Sequence, residues 1–77
     1  MKFPNRKTVE RLRMEFPKGA RVELIRMDDD VQAPPPGTLG TVTGVDDIGS
    51  ILVRWDNGSG LSVAFGEDVC RIVKNSK

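Results

Sequence analysis

Residues 40–59 constrain the fold of this chain more than any other part of the sequence. Short apolar segments alternate with turn residues there, which is typical of strand, turn, strand and tight turn in succession. The pair Asn57-Gly58 suits the two central positions of a type I′ hairpin turn, where both residues take positive φ. Asp and Gly residues at 46–49 favour the preceding turn. Three consecutive short strands at this spacing predict a small antiparallel barrel or a curled sheet.

Two further strands complete the predicted fold, an SH3-like antiparallel β-barrel of about five strands in a mainly β protein. The strands are predicted at residues 20–27, 38–45, 50–55, 61–64 and 69–73. Successive side chains of a strand point to opposite faces, so alternate apolar positions form the core. The predicted core residues are Val22, Leu24, Val42, Val45, Ile51, Val53 and Trp55.

One amphipathic helix is predicted before the barrel, from Arg6 to about Glu15. Asn5 is a suitable N-cap, and Pro17 ends the helix because the residue before a proline avoids helical geometry. An apolar stripe on the helix requires a partner; its members are Val9, Leu12 and Phe16. We therefore expect the helix to pack on the barrel, either over an outer face that carries Ile25 and Leu52 or across an open end.

The chain is expected to form a single domain, since 77 residues support one thin core. Residues 1–18 form the packed helix, residues 19–73 the barrel and residues 74–77 a frayed tail. The loop at 28–37 contains three acids and then three prolines. Prolines cannot donate to a ladder and favour an extended segment.

Composition argues against several classes of protein. There is no apolar run long enough to span a bilayer and no apolar signal segment at the N-terminus. The single cysteine, Cys70, is expected to be a small buried hydrophobe and suits a reducing compartment. We therefore predict a cytoplasmic protein that does not bind membranes.

Catalysis is not expected, because the chain has no histidine and no phosphate-binding glycine motif. One cysteine without histidine cannot form a zinc site of the usual kind, and no cofactor is predicted. Asp28, Asp29 and Asp30 are adjacent and do not present their carboxylates on one side, so a solvated loop is favoured over a metal site. With one Trp, three Phe and no Tyr, too few rings remain for a polyproline groove or a methyl-lysine cage.

Charge is distributed unevenly: residues 1–27 carry a net charge of +5 and residues 28–77 a net charge of −4. On the helical wheel, Lys7, Arg11 and Met14 lie opposite the apolar stripe. Arg6 and Arg13 lie to one side of that polar face. These five residues are the candidate binding residues. Two interpretations stay open: a solvated basic face, or a patch for phosphates or an acidic partner.

The sequence resembles two families. The strand ending at Val42 and the hairpin at 55–59 are similar to the SH3-like mind-bomb-type repeats of some large ubiquitin ligases, over roughly residues 19–72. A closer resemblance, over nearly the whole chain, is to the small prokaryotic and phage domain of unknown function 4314. It is carried by Phe16-Pro17-Lys18-Gly19, Arg21-Val22-Glu23-Leu24, Ala33-Pro34-Pro35-Pro36-Gly37, the run 40–49 and Trp55-Asp56-Asn57-Gly58. This resemblance implies an SH3-like barrel in a bacterial, phage or mobile-element context, and it carries over no activity and no functional residues.

These observations predict a non-catalytic binding or adaptor module whose partner is a protein. The alternative is a nucleic-acid-binding accessory protein that uses the basic helix; the acidic barrel and the lack of an aromatic platform argue against it. A third possibility is self-association through the helix. The two binding hypotheses differ in salt dependence, because phosphate contacts weaken steeply as salt rises.

Overall fold

The computed structural model describes residues 5–27, 33–64 and 66–73. Helix α1 (Arg6–Glu15) precedes five strands: β1 (Arg21–Arg26), β2 (Leu39–Val45), β3 (Ser50–Trp55), β4 (Val63–Ala64) and β5 (Val69–Ile72). All pairings are antiparallel, and the strands form one sheet in the order β4-β3-β2-β1-β5. The predicted class, a mainly β domain of five strands with an N-terminal helix, is confirmed. The predicted segments at 28–30 and 74–77 lie outside the described residues.

The sheet is not closed into a barrel, which corrects one part of the prediction. β4 and β5 form its two edges, and no ladder joins them within the described residues. β4 is also shorter than predicted and pairs with β3 at only two positions, Ser50↔Ala64 and Ile51↔Val63. The carbonyl of Leu61 accepts a hydrogen bond from Nε1 of Trp55 at 2.9 Å. This carbonyl therefore binds a side chain just before β4 begins.

The helix has the predicted ends. Oδ1 of Asn5 accepts a hydrogen bond from the Thr8 amide at 2.9 Å, as an N-cap does. The Phe16 amide donates to the Leu12 carbonyl at 2.8 Å, and the chain leaves the helix before Pro17. The cap and the proline together fix the helix at ten residues.

One buried cluster forms the core of the domain, and it contains every predicted core residue. The helix stripe of Val9, Leu12 and Phe16 belongs to the same cluster. Ile25, on the opposite face of the sheet, is 41 % exposed. The helix therefore covers the core face rather than the outer face, which we define as the sheet face opposite the core.

Both hairpins of the 40–59 segment have three-residue loops, and the predicted type I′ turn is wrong. Gly58 has φ 94°, but no described non-glycine residue has positive φ, so Asn57 does not adopt the left-handed conformation. The Trp55 amide donates to the Ser59 carbonyl at 2.9 Å and the Gly58 amide to the Trp55 carbonyl at 3.0 Å. This is the pattern of a turn followed by a glycine bulge. Gly49, with φ 85°, has the same place in the β2–β3 hairpin.

The proline segment ends in a fixed turn. The amide of Thr38 donates to the Pro35 carbonyl at 3.1 Å, and Gly37 supplies the positive φ of 94°. The Gly37 amide also donates to the Leu24 carbonyl at 2.7 Å. These bonds attach the C-terminal part of the long loop to β1.

Candidate binding surfaces

The described residues contain no group of three or more His, Cys, Asp and Glu side chains placed to hold a metal ion. They also contain no buried polar or charged side chain. None of the described helical structure is long and apolar enough to cross a bilayer. Among the described residues, the surfaces that offer chemistry are exposed faces and open grooves.

The structure separates the five predicted binding residues of the helix into two groups. Lys7 and Arg11 are exposed, and Met14 is 83 % exposed. Arg6 forms an ion pair with Glu10, with Nε 3.4 Å from Oε2. Its charge is therefore partly balanced on the same helix.

Arg13 connects the helix to the β2–β3 hairpin. Its Nε donates to the Val45 carbonyl at 3.1 Å, and its Nη2 donates to Oδ1 of Asp47 at 2.8 Å. Arg13 and Arg6 line a depression of about 420 Å³ together with Glu10 and Asp47. Two cations and two carboxylates leave this depression without a preference for anions, so Arg13 acts as a structural contact.

Four cationic side chains have no carboxylate partner within the part of the chain that the structure describes. We refer to them as the unpaired cations: Lys7, Arg11, Lys18 and Arg54. Sequence reasoning did not select Lys18 and Arg54. One lies in a turn and the other in an inner strand, and the sequence does not show that these two segments are close in the fold. Both line one depression of about 270 Å³ on the outer face of the sheet.

An apolar groove of about 280 Å³ lies between α1 and the open side of the sheet, and we name it the edge groove. Its apolar lining consists of Leu12, Phe16, Ile51, Val63, Val69 and Cys70. The helix supplies one wall. The cross-strand pair Ile51↔Val63 supplies part of the lining from β3 and β4, and β5 borders the other side. The groove exists because the helix covers a sheet whose two edge strands form no ladder with each other within the described residues.

Cys70 contributes a neutral wall to the edge groove. Burial raises the pKa of its thiol from the usual 9.0 to about 11, so the thiol is protonated near neutral pH. Its side chain packs against the core, but the residue is only half-buried, which modifies the prediction of a buried hydrophobe. A protonated, partly buried thiol is a weak nucleophile, and Cys70 therefore behaves as a small apolar residue.

Acidic groups flank the apolar lining. Glu15 and Asp68 also line the edge groove. Oδ2 of Asp68 accepts a hydrogen bond from the Ala64 amide at 3.0 Å, which fixes that carboxylate beside the end of β4. Glu15 has no ion-pair partner among the described residues. The rim of the groove is therefore negative.

The β5 strand borders the groove with a backbone edge that pairs with no strand among the described residues. It pairs with β1 on one side, at Val22↔Ile72 and Leu24↔Cys70, and is the last strand of the sheet within the described residues. An edge strand presents N–H and C=O groups that another extended segment can bind. The groove thus combines an apolar surface, a negative rim and an unpaired strand edge.

The fold and these surfaces define a small, mainly β domain with exposed charged faces and open grooves among its described residues. The family described as a domain of unknown function (DUF4314) matches residues 5–73, and the chain belongs to this family. No curated protein and no solved structure shows significant similarity to the chain. The comparisons give no support to the resemblance to mind-bomb-type repeats.

Proposed function

We propose that this protein is a non-catalytic binding module whose partner is another protein, in a cytoplasmic assembly of a bacterium, phage or mobile element. The edge groove is the observation that carries the proposal. It places the apolar side chains of Leu12, Phe16 and Val63 beside the edge of β5 that pairs with no strand in the described part of the chain. Recognition at such an edge combines backbone hydrogen bonds with pockets for alternate side chains.

The chemistry of the groove specifies the kind of partner segment. Its apolar lining accepts aliphatic or aromatic side chains, and the carboxylates of Glu15 and Asp68 favour a nearby lysine or arginine. The free edge of β5 favours an extended backbone. The proposed ligand is therefore an extended peptide segment that carries apolar side chains and at least one basic residue.

A selection of linear peptides from a random library tests this proposal with two matched variants. Val69 lines the groove and is 45 % exposed, whereas Ile48, at the tip of the β2–β3 hairpin, is 48 % exposed and does not line it. Val69→Lys and Ile48→Lys add the same charge at positions of similar exposure. Selected peptides should bind wild type and Ile48→Lys equally and bind Val69→Lys at least tenfold more weakly.

Amide chemical shifts, peptide affinity and peptide enrichment decide the outcome. Peptide binding should shift the amide resonances of β5 and of Phe16, which lies on the opposite wall. Peptides that bind Val69→Lys as tightly as wild type would exclude the groove as the binding surface. Failure to enrich any apolar, basic peptide over a library panned without protein would contradict the proposal as well.

The second candidate function is nucleic-acid binding through the basic helix face. It is favoured by the exposure of Lys7 and Arg11 and by their lack of ion-pair partners among the described residues. If this second candidate is correct, the double substitution Lys7→Glu with Arg11→Glu abolishes binding of a mixed nucleic-acid pool at low salt without changing the melting temperature. Equal binding by this variant would remove the helix face from consideration.

A further inference from the structure

A second binding site is suggested by the depression on the outer face of the sheet, which is separate from both the edge groove and the helix face. It is lined by Lys18, Gly19, Thr41, Val42, Thr43 and Arg54. Two of the four unpaired cations line it, and none of its described lining residues carries a carboxylate. We propose that Lys18, Arg54 and the hydroxyl of Thr41 form a phosphate-binding site for the phosphodiester backbone of a nucleic acid.

The backbone fixes the arrangement of these residues. Thr41 and Arg54 are cross-strand partners in the β2–β3 ladder, so their side chains are neighbours on the outer face. Lys18 lies in the turn that precedes β1. In that turn the Ala20 amide donates to the Pro17 carbonyl at 3.0 Å, and Gly19 has φ 92°.

Backbone hydrogen bonds attach the same turn to β2. The Gly19 amide donates to the Val42 carbonyl at 2.7 Å, and the Val42 amide donates to the Ala20 carbonyl at 2.8 Å. These two bonds extend the β1–β2 ladder beyond the assigned strand and hold Lys18 beside Thr43. Arg54 therefore projects from the sheet, and Lys18 projects from a turn that is hydrogen-bonded to the sheet.

The hydrogen bonds already formed show which groups can still donate a hydrogen bond to an anion. Nη1 of Arg21 donates to Oγ1 of Thr41 at 2.8 Å, which leaves the proton of the Thr41 hydroxyl available. The hydroxyl of Thr43 donates to the Leu52 carbonyl at 3.2 Å, so it offers only lone pairs. The donors for an anion are thus the Lys18 ammonium, the Arg54 guanidinium and the Thr41 hydroxyl.

Neighbouring charges do not cancel this site. The nearest acidic group in the hydrogen-bond network is Asp56, and it is bound by Arg21, with Nη1 3.0 Å from Oδ1. Arg21 and Asp56 balance each other, and both cations of the depression remain without a carboxylate partner in the described part of the chain. An arginine and a lysine on one surface are the usual ligands of phosphate oxygens.

The form of the site favours a polymer backbone over an enclosed nucleotide. Lys18 and Arg54 are exposed, so the depression is shallow and cannot surround a small molecule. None of the described lining residues is aromatic, so the described site offers no ring on which a base could stack. Contacts to phosphates without base contacts give binding that is independent of sequence and strongly dependent on salt.

Two double variants of the full chain provide the test. Lys18→Gln with Arg54→Gln removes the sheet cations, and Lys7→Gln with Arg11→Gln removes the same charge from the helix. The probes are a short single-stranded DNA, the same DNA with neutral methylphosphonate linkages, and inorganic phosphate. For wild type, the normal DNA should bind and shift the amides of Gly19, Thr41 and Arg54, and the neutral DNA should not bind.

The sheet variant should bind the DNA at least tenfold more weakly than the helix variant does. Its slope of log K against log salt should be shallower than that of wild type by about 1.4, from two cations at about 0.7 each for single strands. Thermal melts of both variants should match wild type, because the four side chains are exposed. The edge groove is monitored by peptide binding, so failure of either proposal is distinguished from failure of the other.

The proposal would be overturned by no DNA binding at low salt, by binding of the neutral DNA as tight as the normal DNA, by equal losses in the two variants, or by an unchanged slope for the sheet variant. Equal losses would mean that binding follows net charge and has no defined site. Amide shifts caused by inorganic phosphate but not by DNA would overturn the assignment to a nucleic-acid backbone.

Discussion

The backbone of Gly40 lies against the indole ring of Trp55, its cross-strand partner, so closely that no side chain fits between them. A Cβ built on Gly40 would lie 2.7 Å from Cε3 of Trp55 and 2.6 Å from Cγ1 of Val53. Trp55 is 1 % exposed, and its Nε1 donates to the Leu61 carbonyl at 2.9 Å. Packing and this hydrogen bond fix the ring. Glycine is therefore required at position 40 because a Cβ would clash with the ring, and not because of an unusual backbone conformation.

Gly40→Ala should therefore destabilise the domain by about 1–3 kcal/mol, which is typical of overpacking in a core. Gly60→Ala is the matched control, since an added Cβ there meets nothing within 4 Å and Gly60 has no positive φ. The control should leave stability unchanged or raise it by up to about 1 kcal/mol. Urea unfolding of the two variants measures the difference, and equal midpoints would contradict the close packing of Gly40 on Trp55.

Docking of the helix should contribute measurably to the stability of the domain. Leu12 is 5 % exposed and packs in the core, whereas Met14 on the same helix is 83 % exposed. Leu12→Ala should lower the free energy of unfolding by about 2–5 kcal/mol. Met14→Ala should change it by no more than about 0.5 kcal/mol. Similar effects of both substitutions would mean that the helix does not pack on the sheet in solution.

Substitutions at Asn57 and Gly58 distinguish the observed three-residue loop of the β3–β4 hairpin from a type I′ turn. Gly58 has positive φ and Asn57 does not, so Gly58→Ala should cost about 1–2 kcal/mol. Asn57→Ala should cost about 0.5–1 kcal/mol, for the loss of the bond from the Ser59 amide to Oδ1 of Asn57 at 3.0 Å. In a type I′ turn both positions would be equally sensitive. Thermal denaturation of both variants measures these effects.

The Cys70 thiol should make stability depend on alkaline pH. Its pKa is raised by burial from 9.0 to about 11, so the folded state holds this proton more tightly than the unfolded state does. The stabilisation is fully present below pH 9 and is lost as the pH rises through about 11. Denaturant midpoints of wild type and Cys70→Ala across this range test the sign. Rapid alkylation of the native thiol at pH 8 would contradict the raised pKa.

Asp56 should titrate below its usual pKa because Arg21 donates hydrogen bonds to its carboxylate and attracts it electrostatically. Any stabilisation from this pair is present above the usual pKa of 3.8 and is lost as the pH falls through the lowered value. Arg21→Gln should return the pKa of Asp56 toward 3.8, as measured by carboxyl NMR. Arg71→Gln is the control, because Arg71 pairs with Glu23 instead. A normal pKa for Asp56 in wild type would exclude the pair in solution.

Much of the fold could be predicted because local patterns and core positions agree. The helix bounds follow from the Asn5 cap and Pro17, and alternation along β3 selects the buried residues Ile51, Val53 and Trp55. The type I′ turn was wrong because an Asn-Gly pair also fits a three-residue loop in which glycine alone has positive φ. Sequence preference at the pair does not specify how many residues the loop contains.

The candidate sites were less accessible to sequence reasoning. The helical wheel identified Lys7, Arg11 and Met14 as an exposed face, but it could not show that Asp47 of the β2–β3 hairpin binds Arg13. The sequence does not identify apolar residues such as Val69 as groove-lining, because the groove forms only if the sheet stays open. Lys18 and Arg54 are 36 positions apart in the chain and meet only through strand register.

The sequence by itself determined the helix, the order of the strands along the chain, the core positions and the absence of histidine, because these depend on nearby residues and on composition. Only the tertiary structure decided that β4 and β5 form no ladder within the described residues, that the helix covers the core face, and which cations have carboxylate partners. Those features depend on pairing between distant segments, where strand register and the packing of Gly40 on Trp55 select one arrangement.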